Sequence, residues 1–244
     1  LNYRWINRTD RLETPLVNGA PVDWDVALAA AAAALKGGTA HAVVSASLSN
    51  EALYLLKQIG AGSFRVPQGT EAPLPGVPDL SRRADRAANA TGAELLGFTR
   101  TVTPLAGLKA GDVLVIADEE CDGLDATAFA KAAAVIVIGT VSPKGLPVGA
   151  IQLPTANFAE EEGTFTNLRG RVQRFLQAKA APGLARPCWF VLADLAATLG
   201  KQGNYPTAEA VFAALASSEA PFAGMSYDTL ALKGQPAAGA GVSA

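Results

Sequence analysis

Short runs of β-branched residues, bounded by Gly or Pro, alternate with longer Ala- and Leu-rich segments from residue 40 onward. This alternation predicts an α/β fold, a layered and mostly parallel sheet flanked by helices. Near-continuous apolar runs such as Val113–Ile116 and Val135–Ile138 indicate strands that are buried on both faces. The predicted strands are His41–Ser45, Phe64–Val66, Asp112–Ile116, Ala134–Ile138 and Ala150–Leu153.

The longer segments have the composition of helices, and several follow a capping residue or a proline. The predicted helices are Trp24–Leu35, Asn50–Ile59, Ala126–Ala133, Pro187–Leu199 and Thr207–Leu215. Asp23 and Asn50 are the predicted N-caps, because short polar side chains satisfy the first free amides of a helix. The alanine run 27–34 is interpreted as a packed structural helix, since alanine is the strongest helix former.

Two segments lack a regular apolar pattern. Residues 67–90 are rich in Pro, Gly and charge, which predicts a functional loop or an interface arm. Residues 234–244 contain Gly, Ala, Ser and Pro without charge, which predicts a flexible tail. We therefore expect one α/β domain over residues 1–233, opening with a lead-in segment and helix over residues 1–36, and then the tail.

Composition narrows the classes of function. The 244 residues are 50% hydrophobic and 17% charged, as in a globular protein. Cys121 and Cys188 are far apart, so the chain cannot by itself supply a four-cysteine iron–sulfur or zinc site. A net charge of −2 argues against a nucleic-acid partner.

Uncharged runs are too short for a membrane span and no signal peptide is evident, so a cytoplasmic location is expected. A first residue of Leu1 rather than methionine indicates a fragment or a piece of a longer chain.

The usual catalytic patterns are weak in this chain. His41 is the only histidine, at the edge of an apolar strand, and is interpreted as a hydrogen-bonded structural residue. Ser45 and Ser47 lie in ordinary strand-end sequence without a G-x-S-x-G turn, which argues against a serine hydrolase. Residues 60–62 and 139–145 do not match a phosphate-binding loop, and we interpret them as turns.

Residues 160–173 have the richest polar chemistry. Glu160, Glu161 and Glu162 suggest acid–base or metal chemistry, but adjacent residues of one turn do not converge on a point, so a solvated acidic turn is the interpretation. Gly163–Asn167 and Gly170–Arg174 combine glycines with small polar residues after the last predicted strand. This composition predicts a pocket wall at the carboxyl ends of the strands.

A longer motif resembles a known family. The segment Leu153–Gln173 reads LPTANFAEEEGTFTNLRGRVQ and is similar to the signature of the molybdopterin oxidoreductase superfamily, E-x-x-G-T-F-T-N followed by G-R-V-Q. Tyr3–Val17 and Val22–Leu28 are similar to the segment that follows the family's cysteine-rich Fe–S module. The resemblance extends from residue 3 to about residue 230 and is weakest over residues 67–78.

A narrower resemblance is to the large Fe–S subunit of bacterial respiratory complex I, the NADH:quinone oxidoreductase. Leu80–Gly97 resembles that subunit's ADxNPNxxGAxxLG segment, with Ala88 in place of the proline. Val44–Leu56, in which Asn50 and Glu51 open the helix, is similar to an S-x-x-x-x-N-E-E element of both groups. The resemblance implies a reduced molybdopterin-oxidoreductase-like domain with a structural role in the peripheral arm, supporting electron transfer from NADH to quinone.

The departures from the family define what is expected of the site. Catalytic members bind molybdenum through Cys, selenocysteine or Ser, whereas residues 51–78 contain no cysteine and one serine, Ser63. The chain is also much shorter than catalytic members. We therefore expect no catalytic, cofactor-binding or metal-binding residue and no cofactor in this chain. Asn167 and Arg171 are expected to hydrogen-bond to neighbouring loops and preserve the turn geometry.

The expected partners are the flavin- and Fe–S-binding subunits of the peripheral arm, on the inner face of the bacterial cytoplasmic membrane. Two alternatives remain open. One is a subunit of a molybdopterin-dependent oxidoreductase that a second chain completes with the Fe–S module and the metal ligand. The other is a free-standing nucleotide-binding α/β protein, which requires a phosphate-binding turn that the sequence does not show.

Overall fold

A computed structural model describes residues 6–65, 72–82 and 87–239. The strands are β1 (Leu16–Val17), β2 (Ala20–Pro21), β3 (Ala40–Val44), β4 (Ala61–Phe64), β5 (Ala72–Leu74), β6 (Val77–Arg82), β7 (Thr99–Arg100), β8 (Val113–Ala117), β9 (Ala134–Gly139), β10 (Ile151–Pro154), β11 (Gly163–Thr166), β12 (Arg171–Phe175) and β13 (Gln235–Pro236). The helices are α1 (Trp24–Lys36), α2 (Asn50–Ile59), α3 (Ala90–Leu95), α4 (Cys188–Thr198), α5 (Ala208–Ser218) and α6 (Tyr227–Leu230), with 3₁₀ helices at Ala126–Lys131 and Ala220–Phe222.

The main sheet has eight strands in the order β2-β1-β10-β9-β8-β3-β4-β7. The six strands from β10 to β7 pair in parallel, and the β1–β2 hairpin pairs antiparallel to β10 at one edge. This architecture confirms the α/β prediction. It arises because the central strands alternate apolar side chains to both faces and so need cover on both sides.

The two faces of the sheet are covered differently. Val44, Val115 and Ile136 belong to the larger core, which also contains the inner faces of α1, α2, α4 and α5. The opposite face, with Ile116, packs with Phe129 of a 3₁₀ helix and with apolar residues of neighbouring loops. The predicted burial of β8 and β9 on both faces is therefore confirmed.

The start of α2 differs from the prediction. Ser49, rather than Asn50, is the N-cap, and its Oγ accepts a hydrogen bond from the amide of Ala52 at 3.2 Å. Asn50 is the first helical residue, so its side chain is free to point into the protein interior. Asp23 does precede α1 as predicted, but its side chain makes no capping hydrogen bond.

The two segments without an apolar pattern also contain regular structure. Within residues 67–90, β5 and β6 form an antiparallel hairpin, while residues 66–71 and 83–86 lie outside the described residues. Gln235 pairs with Val172 of β12, and the amide of Ala237 donates to Gly170 O at 2.8 Å. Residues 235–237 of the predicted flexible tail thus have hydrogen-bonded partners in the fold, and residues 240–244 lie outside the described residues.

The strand order reverses next to the middle of the sheet. From β3 the chain continues to β4 on one side and later returns to place β8 on the other side. Carboxyl ends of parallel strands meet at one edge of a sheet, and ligands of open α/β folds bind there at such a reversal. The segments that follow β3, β8, β9 and β10 define this carboxyl edge.

Candidate functional site

A buried polar network joins the first turn of α2 to the strand β11. Glu51 Oε2 accepts a hydrogen bond from the amide of Thr164 at 2.9 Å. Glu51 Oε1 accepts from Thr164 Oγ1 at 3.0 Å and from the hydroxyl of Tyr227 at 2.9 Å. Glu51 and Thr164 are completely buried, so these donors take the place of water around the carboxyl group.

Two asparagines extend the network to the loop after β3 and to α3. Asn50 Nδ2 donates to Thr164 Oγ1 at 3.0 Å, and Asn50 Oδ1 accepts from Asn89 Nδ2 at 3.0 Å and from Thr166 Oγ1 at 3.3 Å. Asn89 Oδ1 accepts from the amide of Thr166 at 2.7 Å, and its Nδ2 also donates to Leu48 O at 2.8 Å. All of these side-chain groups are paired with one another or with the backbone.

Gly92 explains how α3 approaches the two asparagines. A Cβ atom at this position would collide with Asn89 Oδ1 and with Asn50 Oδ1. Only a residue without a side chain leaves the two amide groups in place, so the first turn of α3 is part of the network's geometry.

The network changes the titration of its acidic members. Burial raises the pKa of Glu51 to about 7, although the hydrogen bonds from Thr164 and Tyr227 oppose that shift. Burial and the neighbouring Glu51 also raise the pKa of Tyr227. The Glu51 carboxyl group therefore holds its proton to a higher pH than an exposed glutamate does.

A second cluster lies at the carboxyl edge and is centred on Arg11. Its Nη1 and Nη2 donate to Glu160 Oε1 and Oε2 at 2.9 and 2.7 Å, and Nη2 also donates to Thr155 O at 3.1 Å. The side chains of Arg11 and Glu160 are 4% and 0% exposed. Burial by itself raises the pKa of Glu160, but the bonds from Arg11 and from the amide of Asn157 outweigh it and leave the pKa lowered.

Whereas Glu160 pairs with Arg11, Glu161 accepts a hydrogen bond at the start of α4. Its Oε2 accepts a hydrogen bond from the amide of Cys188 at 2.7 Å, at the first residue of α4. The N-cap of α4 is Pro187, which has no capping group, so the Glu161 carboxyl group supplies the missing acceptor. Burial, together with the charges of Asp118 and Glu51, raises the pKa of Glu161 well above its usual value.

The acidic turn thus differs from its sequence interpretation. Glu160 and Glu161 are buried, so the prediction of a solvated turn is wrong for both of them. Glu162 lies nearer the surface and pairs with Arg174 at 3.0 Å. Each of the three carboxylates therefore has a different principal partner.

Asp118 follows β8 at the strand reversal and has a left-handed backbone, with φ of 49°. Its Oδ1 accepts from the amide and the hydroxyl of Thr140, at 3.1 and 2.8 Å. Burial raises the pKa of Asp118 to about 6, against the effect of the Thr140 bonds. Next to it, Glu119 pairs with Arg65 at 3.0 Å and Glu120 with Arg8 at 2.7 Å.

The signature turn after β11 is held by its own side chains. Asn167 Oδ1 accepts from the amides of Arg169 and Arg171 at 2.9 and 3.1 Å, and Asn167 Nδ2 donates to Gln173 Oε1 at 2.8 Å. Arg171 Nη1 donates to Gly234 O at 2.8 Å and to Lys233 O at 3.3 Å. The expectation of a bond to a neighbouring segment is confirmed for Arg171, whereas Asn167 bonds within its own hairpin.

The remaining residues from the sequence analysis have local contacts. His41 Nε2 lies 2.8 Å from Pro104 O, which fits a structural histidine. Ser45 Oγ accepts from the amide of Ser47 at 3.2 Å. Ser63 lies in β4 with a buried Oγ that has no hydrogen-bond partner among the described residues. Cys121 and Cys188 are buried thiols whose pKa burial raises, to about 12 for Cys121.

Sequence reasoning missed most partners in the two clusters. Arg11, Asn89, Asp118 and Tyr227 were not singled out, because each acts on residues far away in the chain. One available signal was the spacing of Thr164 and Thr166, since alternate residues of a strand face the same side. Two hydroxyl groups on one buried face require polar partners there.

The described residues do not form a metal centre or a membrane span. Across residues 6–65, 72–82 and 87–239, no three His, Cys, Asp or Glu side chains are arranged to hold a metal ion. In the same part of the chain, no helix combines the length and the apolar character that crossing a bilayer demands.

Parts of the chain are similar in sequence to known proteins. Residues 83–198 match the molybdopterin oxidoreductase family. The chain is 40% identical over 86 residues to F420-dependent formate dehydrogenase 2 subunit alpha of Methanococcus maripaludis, which is 34% of this chain and 13% of that protein. It is 36% identical over 88 residues to the assimilatory nitrate reductase catalytic subunit of Bacillus subtilis, 34% of this chain and 12% of that protein.

A third relative matches a longer part of the chain. The mitochondrial NADH-ubiquinone oxidoreductase 78 kDa subunit of Neurospora crassa is 33% identical over 120 residues, which is 49% of this chain and 16% of that subunit. The matched regions therefore span between about an eighth and a sixth of the length of these three relatives.

The family name implies a molybdopterin cofactor, an anionic group whose binding requires free cations or amide donors. At the carboxyl edge Arg8, Arg11 and Arg65 are each paired with a glutamate. The polar side chains around Glu51 and Asn50 are likewise paired with each other. Arg8, Arg11 and Arg65 are therefore not free to bind such an anion.

Proposed function

We propose that this chain, which carries a molybdopterin oxidoreductase family domain over residues 83–198, is a structural and non-catalytic part of the peripheral arm of NADH:quinone oxidoreductase. The observation that carries the proposal is the buried network around Glu51. The polar residues of the family signature hold α2, α3, β11 and α6 together and leave their hydrogen-bonding groups paired. Such side chains stabilise a surface for neighbouring subunits and need no substrate.

The assignment to respiratory complex I is supported by the extent of similarity. The match to the 78 kDa subunit covers 49% of the chain, whereas the matches to the formate dehydrogenase and the nitrate reductase each cover 34%. In this proposal the chain contains no cofactor of its own. Its partners are the flavin- and Fe–S-binding subunits, and it lies at the inner face of the bacterial cytoplasmic membrane through the complex.

A second candidate is a subunit of a molybdopterin-dependent oxidoreductase that another chain completes. The observation in its favour is the higher identity to the formate dehydrogenase subunit, 40%, and to the nitrate reductase subunit, 36%. In that case the second chain would supply the cations and the metal ligand that the carboxyl edge lacks among its described residues.

One experiment separates the two candidates. The tagged full chain is purified from gently solubilised membranes, its partners are identified by mass spectrometry, and molybdenum and tungsten are measured in the same sample. We expect flavin- and Fe–S-binding NADH dehydrogenase subunits in a fixed ratio, without stoichiometric molybdenum or tungsten. Recovery of a molybdoenzyme partner with stoichiometric metal would replace the first candidate by the second, and recovery of the chain alone would contradict both.

A further inference from the structure

A strained backbone at the end of α6 exposes a leucine side chain. Ala231 has φ of 45° and ψ of −142°, a conformation that residues other than glycine rarely adopt. Leu230, just before it, is 1% exposed, whereas Leu232, just after it, is 100% exposed. The strained residue Ala231 thus lies between a buried leucine and a fully exposed one.

Basic residues surround this leucine on the connected segments of the β12–β13 sheet. Arg171 binds the carbonyls of Lys233 and Gly234, which fixes the segment after Leu232 against β12. The turn before β12 presents Leu168, 48% exposed, and Arg169. These residues define the leucine–arginine patch: Leu168, Arg169, Arg171, Leu232 and Lys233.

The charge of the patch is opposite to that of the whole chain. Among the described residues, none of its three cations pairs with a carboxylate, and the nearby Asp228 on α6 is exposed. Three positive charges and one negative charge give a local sum of 3 − 1 = +2, whereas the chain has a net charge of −2. A surface of this sign attracts a carboxylate-bearing partner.

We propose that the leucine–arginine patch docks an acidic face of a neighbouring protein subunit in the assembly. Carboxylates of that subunit face Arg169, Arg171 and Lys233, and an apolar pocket receives Leu232. In protein interfaces, the residues that contribute most to the binding free energy are often arginines that lie next to buried apolar side chains. A standard interface of about 800 Å² per partner is large enough to cover both segments of the patch. The identity of the assembly rests on the proposed function.

The first test compares three variants in the purified assembly. Leu232→Asp and Lys233→Glu are matched with Val148→Asp, which places the same charge on a valine that is 83% exposed in the loop between β9 and β10. Native mass spectrometry measures how much of the chain dissociates at about 50 and about 300 mM salt. We expect about tenfold weaker association for the two patch variants, and a wild-type association that weakens with salt. Equal association of Leu232→Asp and Val148→Asp would overturn the proposal.

A second test needs no substitution and so does not depend on the folding of a variant. Lysine acylation is timed in the intact assembly and in the dissociated full chain. We expect Lys233 to be protected in the assembly, while Lys36, an exposed residue at the end of α1, reacts equally in both samples. Equal reaction of Lys233 in both samples would show that the patch remains exposed and would overturn the proposal.

The outcomes distinguish this inference from the proposed function. Recovery of NADH dehydrogenase subunits with an unprotected Lys233 would contradict only the patch. A molybdoenzyme partner with a protected Lys233 would contradict only the proposed function. Binding of the full chain to vesicles containing phosphatidylserine, abolished by Leu232→Asp, would assign the patch to a membrane surface and overturn docking to a protein.

Discussion

The hydroxyl of Tyr227 donates to Glu51 Oε1 at 2.9 Å, which joins α6 to the first turn of α2 across 176 positions of sequence. We predict that Tyr227→Phe lowers the free energy of unfolding by about 1–2 kcal/mol, because a buried carboxyl group loses a donor. Urea denaturation measures the change. Tyr54→Phe is the control, since the Tyr54 hydroxyl accepts a longer bond from Ser218 at 3.3 Å, and its effect should be smaller. A larger loss of unfolding free energy in Tyr54→Phe than in Tyr227→Phe would contradict the prediction that the bond to Glu51 contributes more to stability.

Stability should decrease as the pH rises through neutrality. The pKa of Glu51 is raised to about 7 and that of Asp118 to about 6, so the folded protein retains protons that the unfolded chain releases at lower pH. The stabilisation is complete below the unfolded pKa values and is lost as the pH passes through about 6 to 7. We expect roughly 3–4 kcal/mol from Glu51, measured by denaturation at a series of pH values between about 4 and 8.

Glu51→Gln isolates the contribution of this carboxyl group. The amide keeps an acceptor for the Thr164 amide and a donor for a hydroxyl group, so the variant should fold and show a smaller pH dependence than the wild type. An unchanged slope in Glu51→Gln would exclude Glu51 as the titrating group.

The buried pair of Arg11 and Glu160 should be sensitive to removal of either partner. We predict that Glu160→Ala costs about 3–5 kcal/mol of unfolding free energy, because it leaves the buried Arg11 without its counter-ion. Arg11→Ala should cost less, because Glu160 keeps a second cation, the half-exposed Lys179, at 3.4 Å. The double variant should cost clearly less than the sum of the two. The half-exposed pair of Lys57 and Glu219 is the control, and Lys57→Ala should cost less than about 1 kcal/mol. Strict additivity at Arg11 and Glu160 would show that the two side chains are not coupled.

Gly92→Ala should destabilise the protein although alanine is the better helix former by about 1 kcal/mol. The new methyl group would collide with the amide oxygens of Asn89 and Asn50 and displace both from their partners. Gly149→Ala is the matched control, because a Cβ atom there meets only Asn18 Oδ1 at 3.8 Å. Thermal unfolding compares the two variants. A raised melting temperature for Gly92→Ala would show that the asparagines can move without loss.

Much of the fold could be predicted because the central strands are apolar over their whole length. Segments such as β8 and β9 carry the signal of a buried parallel strand within five or six consecutive residues. The hairpin of β11 and β12 carries no such signal. Its alternating threonines were interpreted as the polar wall of a pocket, whereas the structure uses them to satisfy Asn50 and Glu51.

The candidate site was less predictable because its contacts are distant in sequence. The acidic turn was interpreted as solvated because adjacent residues of one turn do not converge on a point. The partner that buries Glu160, Arg11, lies 149 positions earlier in the chain. The wrong prediction of Asn50 as the N-cap of α2 has a local cause. Ser49 and Asn50 are both good N-cap residues, and only the tertiary environment decides which one accepts the amide and which one enters the core.

The pairing of β1 with β10 determines when the fold can be completed. Leu16 and Val17 leave the ribosome early, but their partners Gln152 and Ile151 are synthesised only after most of the sheet. The hydrogen bonds between Arg11 and Glu160 and between Glu51 and Thr164 can likewise form only after Glu160 and Thr164 have been synthesised. During that interval a growing parallel sheet has an open edge, the kind of surface on which partly folded chains aggregate. Closure by the β1–β2 hairpin is therefore a late step, and the yield of folded protein should depend on how long the nascent sheet remains uncapped.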